Sequence, residues 1–179
     1  MKQYTVESFI DQFVFTDTKN IMQNNPYQAF ALLSIGLEML GRCFCKGAWE
    51  ISPGSETDFY TAIQKSPELQ KYQVFNIVKQ TKRSMKNTNE LYSMLRCGMA
   101  HSLLPDKNLV LVPDKNDLPN YVIGCDEFYM DAFAAWQGIK TGKTAIKKNL
   151  TEAVFYVDDI VSGGTPYNVT IEATSRANS

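Results

Sequence analysis

"NNPYQAFALLSIGLEMLGRCFCKG", residues 24–47, carries the strongest helix signal in the chain. Asn25 suits the cap position, Pro26 the first helical position, and Gly47 the stop. Ser34, Glu38, Arg42 and Lys46 recur every four residues and so line up as one narrow polar stripe, expected to be wet. Most of the remainder is apolar or small, and Gly36 and Gly41 leave room for another backbone to approach closely. A helix of this kind is covered on most sides, either at the centre of a bundle or at a subunit interface. Its pattern sets the expected fold class, an all-α helical bundle.

Residues 6–23 upstream read as a first helix, with Phe9, Phe13 and Ile21 among its apolar positions. Downstream, "SPGSETD" is a loop from which Ser55 or Thr57 starts a helix. "SPELQKYQVFNIVKQTKRSMK" (66–86) predicts another, with Pro67 in its first turn, and the turn "KNTN" leads into "ELYSMLRCGMAHSLL" (90–104). Two short β-branched runs, "NLVLVP" and "NYVIGC", flank the turn-rich "DKNDLP" and read as a β-hairpin at about 109–124. "CDEFYMDAFAAWQGIKTG" is the last long helix, capped by Asp126, with Tyr129, Phe133, Trp136 and Ile139 on its buried face. The expectation is a bundle of about five helices with a small β-hairpin before the last one. It forms a single domain over 1–170, followed by a loose polar tail at 171–179.

Composition bounds the function. With 44% hydrophobic and 21% charged residues the chain fits an ordinary globular domain, and a net charge of −1 argues against a protein that coats DNA. No apolar run spans a bilayer, and the first residues lack the features of a signal peptide, so the expected location is the cytoplasm. Cys43, Cys45, Cys97 and Cys125 are then reduced; with one histidine and no second close cysteine pair, neither a metal site nor a cofactor is expected. "GIKTGKT" (138–144) imitates a phosphate-binding loop. Only three residues separate Gly138 from Gly142, however, and a helix rather than a strand precedes them, so it reads as a helix end.

The chemistry concentrates in "RCGMAH", residues 96–101, which holds the only histidine. At about 100° per residue, His101 stands about 140° from Arg96 on a helix, and Asn89, Glu90 and Ser93 fall in the same sector. Leu91, Leu95, Gly98 and Met99 take the opposite side. A histidine among leucines would be a core residue; this one is on the polar face. A surface pairing of Arg96 with Glu90 or Glu127 is the plain alternative, worth under about 1 kcal/mol.

An arginine, four intervening residues and a histidine, late in a helix of an all-α bundle, resembles the HEPN superfamily. The resemblance is close over the motif helix and architectural over about 27–140. It implies a four- or five-helix bundle, frequent homodimers, and for many members metal-independent endoribonuclease activity in toxin–antitoxin, phage-defence or RNA-processing systems. Such cleavage uses the 2′-hydroxyl as nucleophile and leaves a 2′,3′-cyclic phosphate. On that reading His101 is the acid or base and Arg96 clamps the scissile phosphate. Asn89, Glu90, Ser93 and Cys97 would position RNA or the pair itself. Cys97 departs from the polar residue typical of that position in active members. Lys82 and Arg83, with Lys79 and Lys86, would steer the polyanion locally. A dimer would bring two Arg–His pairs to one cleft; RNA and an antitoxin or other protein are the expected partners, and a membrane is not. The alternative is a catalytically inactive HEPN-like helical dimer that binds a partner protein or nucleotide, and a third reading is a helical scaffold with a chance motif.

Overall fold

The computed structural model describes residues 2–80, 85–97, 110–112 and 122–157. Among these, helices dominate and three small two-stranded sheets accompany them. The chain starts as strand β1 (Lys2–Thr5), and Thr5 caps the helix that follows. Its hydroxyl accepts from Ser8 N at 3.1 Å while Ser8 Oγ accepts from Thr5 N at 2.9 Å, a reciprocal box that satisfies two otherwise orphaned donors. Helix α1 (Val6–Phe9), a π-helical stretch (Ile10–Thr16) and α2 (Asp17–Met22) run on without a break. The π turns shift the phase of the expected first helix. Val6, Ile10 and Val14 enter the core, whereas Phe9 and Phe13 are half-buried beside Tyr4, with ring centroids 4.6 Å apart for Phe9–Phe13 and 5.2 Å for Tyr4–Phe13.

Helix α3 (Pro26–Arg42) packs against α2, α4 (Ser55–Lys65) and α5 (Cys125–Lys140). Phe30, Leu33, Leu37 and Leu40 are sealed, each worth roughly 1.5–3 kcal/mol of burial. Two expectations about its ends are corrected. Asn25 holds the cap position without a side-chain bond, and the helix stops at Arg42, leaving Gly47 in the next loop with φ +90°. Gly41 decides the contact with α4, because a Cβ there would fall 1.7 Å from the Asp58 carbonyl oxygen. The polar stripe is wet only towards its end: Ser34 is fully buried and Glu38 is only 7% exposed, whereas Arg42 is half-buried and Lys46 exposed.

The helix expected over 66–86 is replaced by a 3₁₀ stretch (Pro67–Phe75) and an antiparallel ribbon of β2 (Asn76–Gln80) and β3 (Met85–Asn89). Asn76 stands opposite Asn89, and Lys79 opposite Lys86. The first half keeps its apolar spacing, burying Leu69 and Tyr72. Beyond it the β-branched pair Ile77–Val78 and pairing with the next strand, β3, outweigh helical propensity.

Strands β4 (Val110–Val112) and β5 (Val122–Gly124) fall where the hairpin is expected, but they pair in parallel, Val110 with Val122. A two-residue turn cannot join parallel strands, so this segment is not a hairpin. Residues 113–121 and the tail at 171–179 lie outside the described residues. α5 starts with Gly124 at its cap and Asp126 inside the first turn. Tyr129, Trp136 and Ile139 are buried as expected, and Phe133 is half-buried. Gly142 takes φ +73° just past the end of α5, the glycine position that terminates a helix, which disposes of the phosphate loop.

Lys148 closes the structure. Only 6% exposed, its Nζ donates to the carbonyls of Gly47 (3.2 Å), Ile51 (3.0 Å) and Ala48, and its backbone N–H bonds Cys43 O at 3.2 Å. The end of α3 is thereby tied to the segment that leads into β6 (Ala153–Val157), the antiparallel partner of β1. No helix among the described residues is long and apolar enough to cross a membrane.

Candidate functional site

The motif segment is launched by Asn89, the last residue of β3. Its Oδ1 accepts from Leu91 N at 3.0 Å and opens a helical turn, while its Nδ2 donates to Tyr72 O (3.0 Å) and Asn76 Oδ1 (2.7 Å). The residue is 1% exposed, so Asn89 positions the helix and is not open to a ligand. Placing it on the helical wheel fails because it belongs to a strand.

From Tyr92 to Cys97 the backbone is π-helical, an uncommon conformation that is frequent at functional sites. Leu91 and Leu95 anchor the turn in the core, and Tyr92 packs edge-on to Phe59 at 5.7 Å. Glu90 and Ser93 are exposed. Together with Glu56, Lys79 and Thr88 they border a groove of about 290 Å³, one of whose walls is Asn89. Glu56 accepts from Lys86 Nζ and from Thr88 Oγ1, both at 2.7 Å. The Lys86 hydrogen bond holds its carboxyl below the usual range, with the Thr88 bond adding to the effect. Arg96 is not part of that groove's lining.

Arg96 has a different partner from either one expected. Its Nε donates to Glu38 Oε1 at 2.8 Å across to α3; Glu90 remains exposed, and Glu127 is paired to Lys71 at 2.5 Å. The Glu38 side chain is 9% exposed and that of Arg96 is 32% exposed. A carboxylate that takes the Nε edge fixes the plane of the guanidinium. One turn further along α3, Arg42 bonds Asp58 at 3.4 Å and covers the Trp49 ring at 5.6 Å. Asp58, fully buried, also accepts from Ser52 Oγ and from Cys45 Sγ at 3.6 Å. Glu38 and Arg42 of the stripe on α3 are therefore each held in a partly buried ion pair.

Other candidates resolve into structural roles. Tyr72 is buried with its OH donating to Asp131 at 2.7 Å and its ring edge-on to Phe128; burial pushes its phenol up. Lys140 bridges Asp11 (2.7 Å) and Glu7 (3.3 Å), which removes it from any phosphate-binding cluster. Cys43, Cys45 and Cys125 are free thiols. His101, Lys82, Arg83 and the side chain of Cys97 lie outside the described residues.

The structure thus brings Glu90 and Ser93 to one groove, puts Asn89 to work beneath them, and ties Arg96 to Glu38. Sequence reasoning missed Glu38 and Glu56. The signal for Glu38 was present, an acid embedded in an otherwise apolar helix, where burial without a partner would be prohibitive. Compared with models of protein families, with curated proteins and with solved structures, the chain finds no match.

Proposed function

We propose that the chain is a HEPN-like, metal-independent endoribonuclease of a toxin–antitoxin or phage-defence kind. The observation that supports this most is the Arg96–Glu38 pair. A buried carboxylate holds the guanidinium by its Nε edge, five residues ahead of the only histidine, and about a third of the arginine side chain stays in solvent, 32%. A permanently protonated planar group held in this way suits a phosphate whose charge grows during 2′-hydroxyl attack. Imidazole supplies the proton transfer near neutral pH. Glu90 and Ser93, at the neighbouring groove, would meet the sugar and bases that flank the scissile bond. Asn89 acts through the helix it starts. A homodimer would supply a second histidine and so separate the roles of acid and base.

The same ion pair favours a second reading, an inactive relative in which Arg96 serves to dock the motif segment on α3. End-group analysis separates the two. RNA incubated with the protein in EDTA should yield 2′,3′-cyclic phosphate ends, and a single 2′-deoxy substitution at a cut site should abolish cleavage there. Products with 3′-hydroxyl ends, or none, would leave the docking role.

A further inference from the structure

The groove between the β2–β3 ribbon and the π-helical turn is bordered by one carboxylate and one ammonium that no described residue neutralises. Glu56 is committed, since Lys86 and Thr88 take its two oxygens, Oε2 and Oε1. Thr88 and Asn89 are buried and spend their polar atoms inside the protein. Glu90 and Lys79 are left. Both are exposed and both border the groove, yet among the described residues neither makes an ion pair, with the other or with a third group.

The ribbon register keeps the two apart. Asn76 stands opposite Asn89, so Lys79 lies three residues, about 10 Å, up the ribbon from the level at which Glu90 leaves it. Lys79 shares a face of β2 with Ile77, because side chains two apart point the same way. Ile77 is 39% exposed, and Met94, half-buried, lines the groove from the π-helical turn. A flat body can lie against these two apolar side chains with the carboxylate towards one end and the ammonium towards the other. The volume, about 290 Å³, is at the bottom of the range for small-ligand sites and suits one ring system rather than a chain.

Hydrogen-bond inventory selects the ring. An ionised carboxylate only accepts, and it is best served by two donors side by side. Among the four RNA bases guanine alone offers them on one edge, the N1–H and the N2 amine. Adenine and cytosine set an acceptor beside their amine, and the N3–H of uracil is flanked by two carbonyls. Guanine also carries two acceptors, O6 and N7, to which an ammonium is the matching donor. An arginine side chain would satisfy Glu90 but brings a like charge to Lys79 and no acceptor for it.

We propose that this groove binds an unpaired guanine base, with Glu90 accepting from N1–H and the N2 amine, Lys79 donating to O6 or N7, and Ile77 and Met94 lying against the ring. That the base belongs to an RNA strand, next to the scissile phosphate, rests on the ribonuclease reading; recognition of the ring does not. Unpaired bases read on their edges are the usual targets of sequence-specific RNA binding.

Titration of the ¹⁵N-labelled full chain in EDTA with the 5′-monophosphates of guanosine, inosine and adenosine tests the site, because the three share a phosphate and differ at the edge in question. Guanosine monophosphate should shift the Glu90 and Ser93 amides saturably. The inosine compound, which lacks the N2 amine, should bind about ten-fold more weakly, and the adenosine compound should leave those signals in place. Glu90→Gln, at an exposed position that does not threaten folding, should weaken guanosine monophosphate about ten-fold or more. Lys79→Gln should weaken it about two- to five-fold, as for an exposed charge. The oligonucleotide UUGUU, with 2′-O-methyl sugars so that it stays intact, separates the sources of the base. Guanine presented by a strand should make it bind at least as well as the mononucleotide; a site made for a free nucleotide should exclude it. Guanine binding without cleavage of any RNA keeps the site and removes the ribonuclease reading. Cleavage by a protein that does not distinguish the three mononucleotides keeps the ribonuclease and removes the site. Equal binding of guanosine and adenosine monophosphates, no loss in Glu90→Gln, or shifts confined to other regions would overturn the proposal.

Discussion

Glu38 on α3 and Arg96 in the π-helical turn are 58 residues apart in sequence and joined by a single 2.8 Å hydrogen bond between carboxylate and Nε. The bond docks the π-helical turn on α3 and fixes the plane of the guanidinium. Glu38→Gln keeps the shape and removes the charge. It should cost about 1–2 kcal/mol in urea unfolding, below the 3–5 typical of a fully buried pair because part of Arg96 is in water. A double-mutant cycle with Arg96→Gln should return a coupling of similar size; additive effects would mean that the two side chains do not hold each other in solution.

Lys148 makes a prediction that its charge alone would not. Replacement by Met preserves the aliphatic stem and leaves the carbonyls of Gly47, Ala48 and Ile51 without their shared donor. The expected loss is about 2–3 kcal/mol, a Tm drop of roughly 5–10 °C for a chain of this size. A change under 2 °C would show that water replaces the ammonium.

Two glycines should respond to very different degrees. Gly41→Ala would drive a methyl group into the Asp58 backbone and prevent α4 from seating, so folded protein should be lost or destabilised by more than about 3 kcal/mol. Gly54, at φ +111° with open space around it, carries only conformational strain, and Ala there should cost about 1 kcal/mol. Comparable costs at the two sites would refute the close helix contact.

Burial pushes the thiols of Cys43 and Cys125 up to about 12, from an ordinary value of 9.0. At pH 8 both should resist iodoacetamide in the native state and react on unfolding. The sign of the pH effect follows. Above about pH 9 the unfolded chain releases thiol protons that the folded chain retains, so stability falls as pH rises from 9 towards 12. Cys43→Ala should flatten that fall; an unchanged slope would mean that Cys43 ionises freely in the fold.

Local pattern made α3 and α5 legible because each is long, strongly periodic and bounded by Pro26 or by glycines. It could not say what lay opposite Glu38 and Arg42, since a wheel groups side chains by face and is silent about partners that arrive from residues 58 and 96. The ribbon at 76–89 was misread for a related reason. Its apolar spacing continues that of Leu69 and Tyr72, and only the pairing of β2 with β3, with Glu56 on α4 receiving Lys86 and Thr88, makes extended backbone the better solution. At the candidate site, spacing drew attention to Arg96, Glu90 and Ser93, but it put Arg96 beside a groove that it does not line and did not find its partner Glu38. The structural duty of Asn89 was not, because it depends on the strand that ends there.

Cleavage of RNA in EDTA by wild type, Arg96→Ala and His101→Ala, purified side by side, addresses the central claim most directly. Wild type should cleave, and each variant should lose roughly 10²–10⁴-fold in rate while unfolding at a urea concentration close to that of wild type for His101→Ala. Equal cleavage by all three proteins would contradict the account.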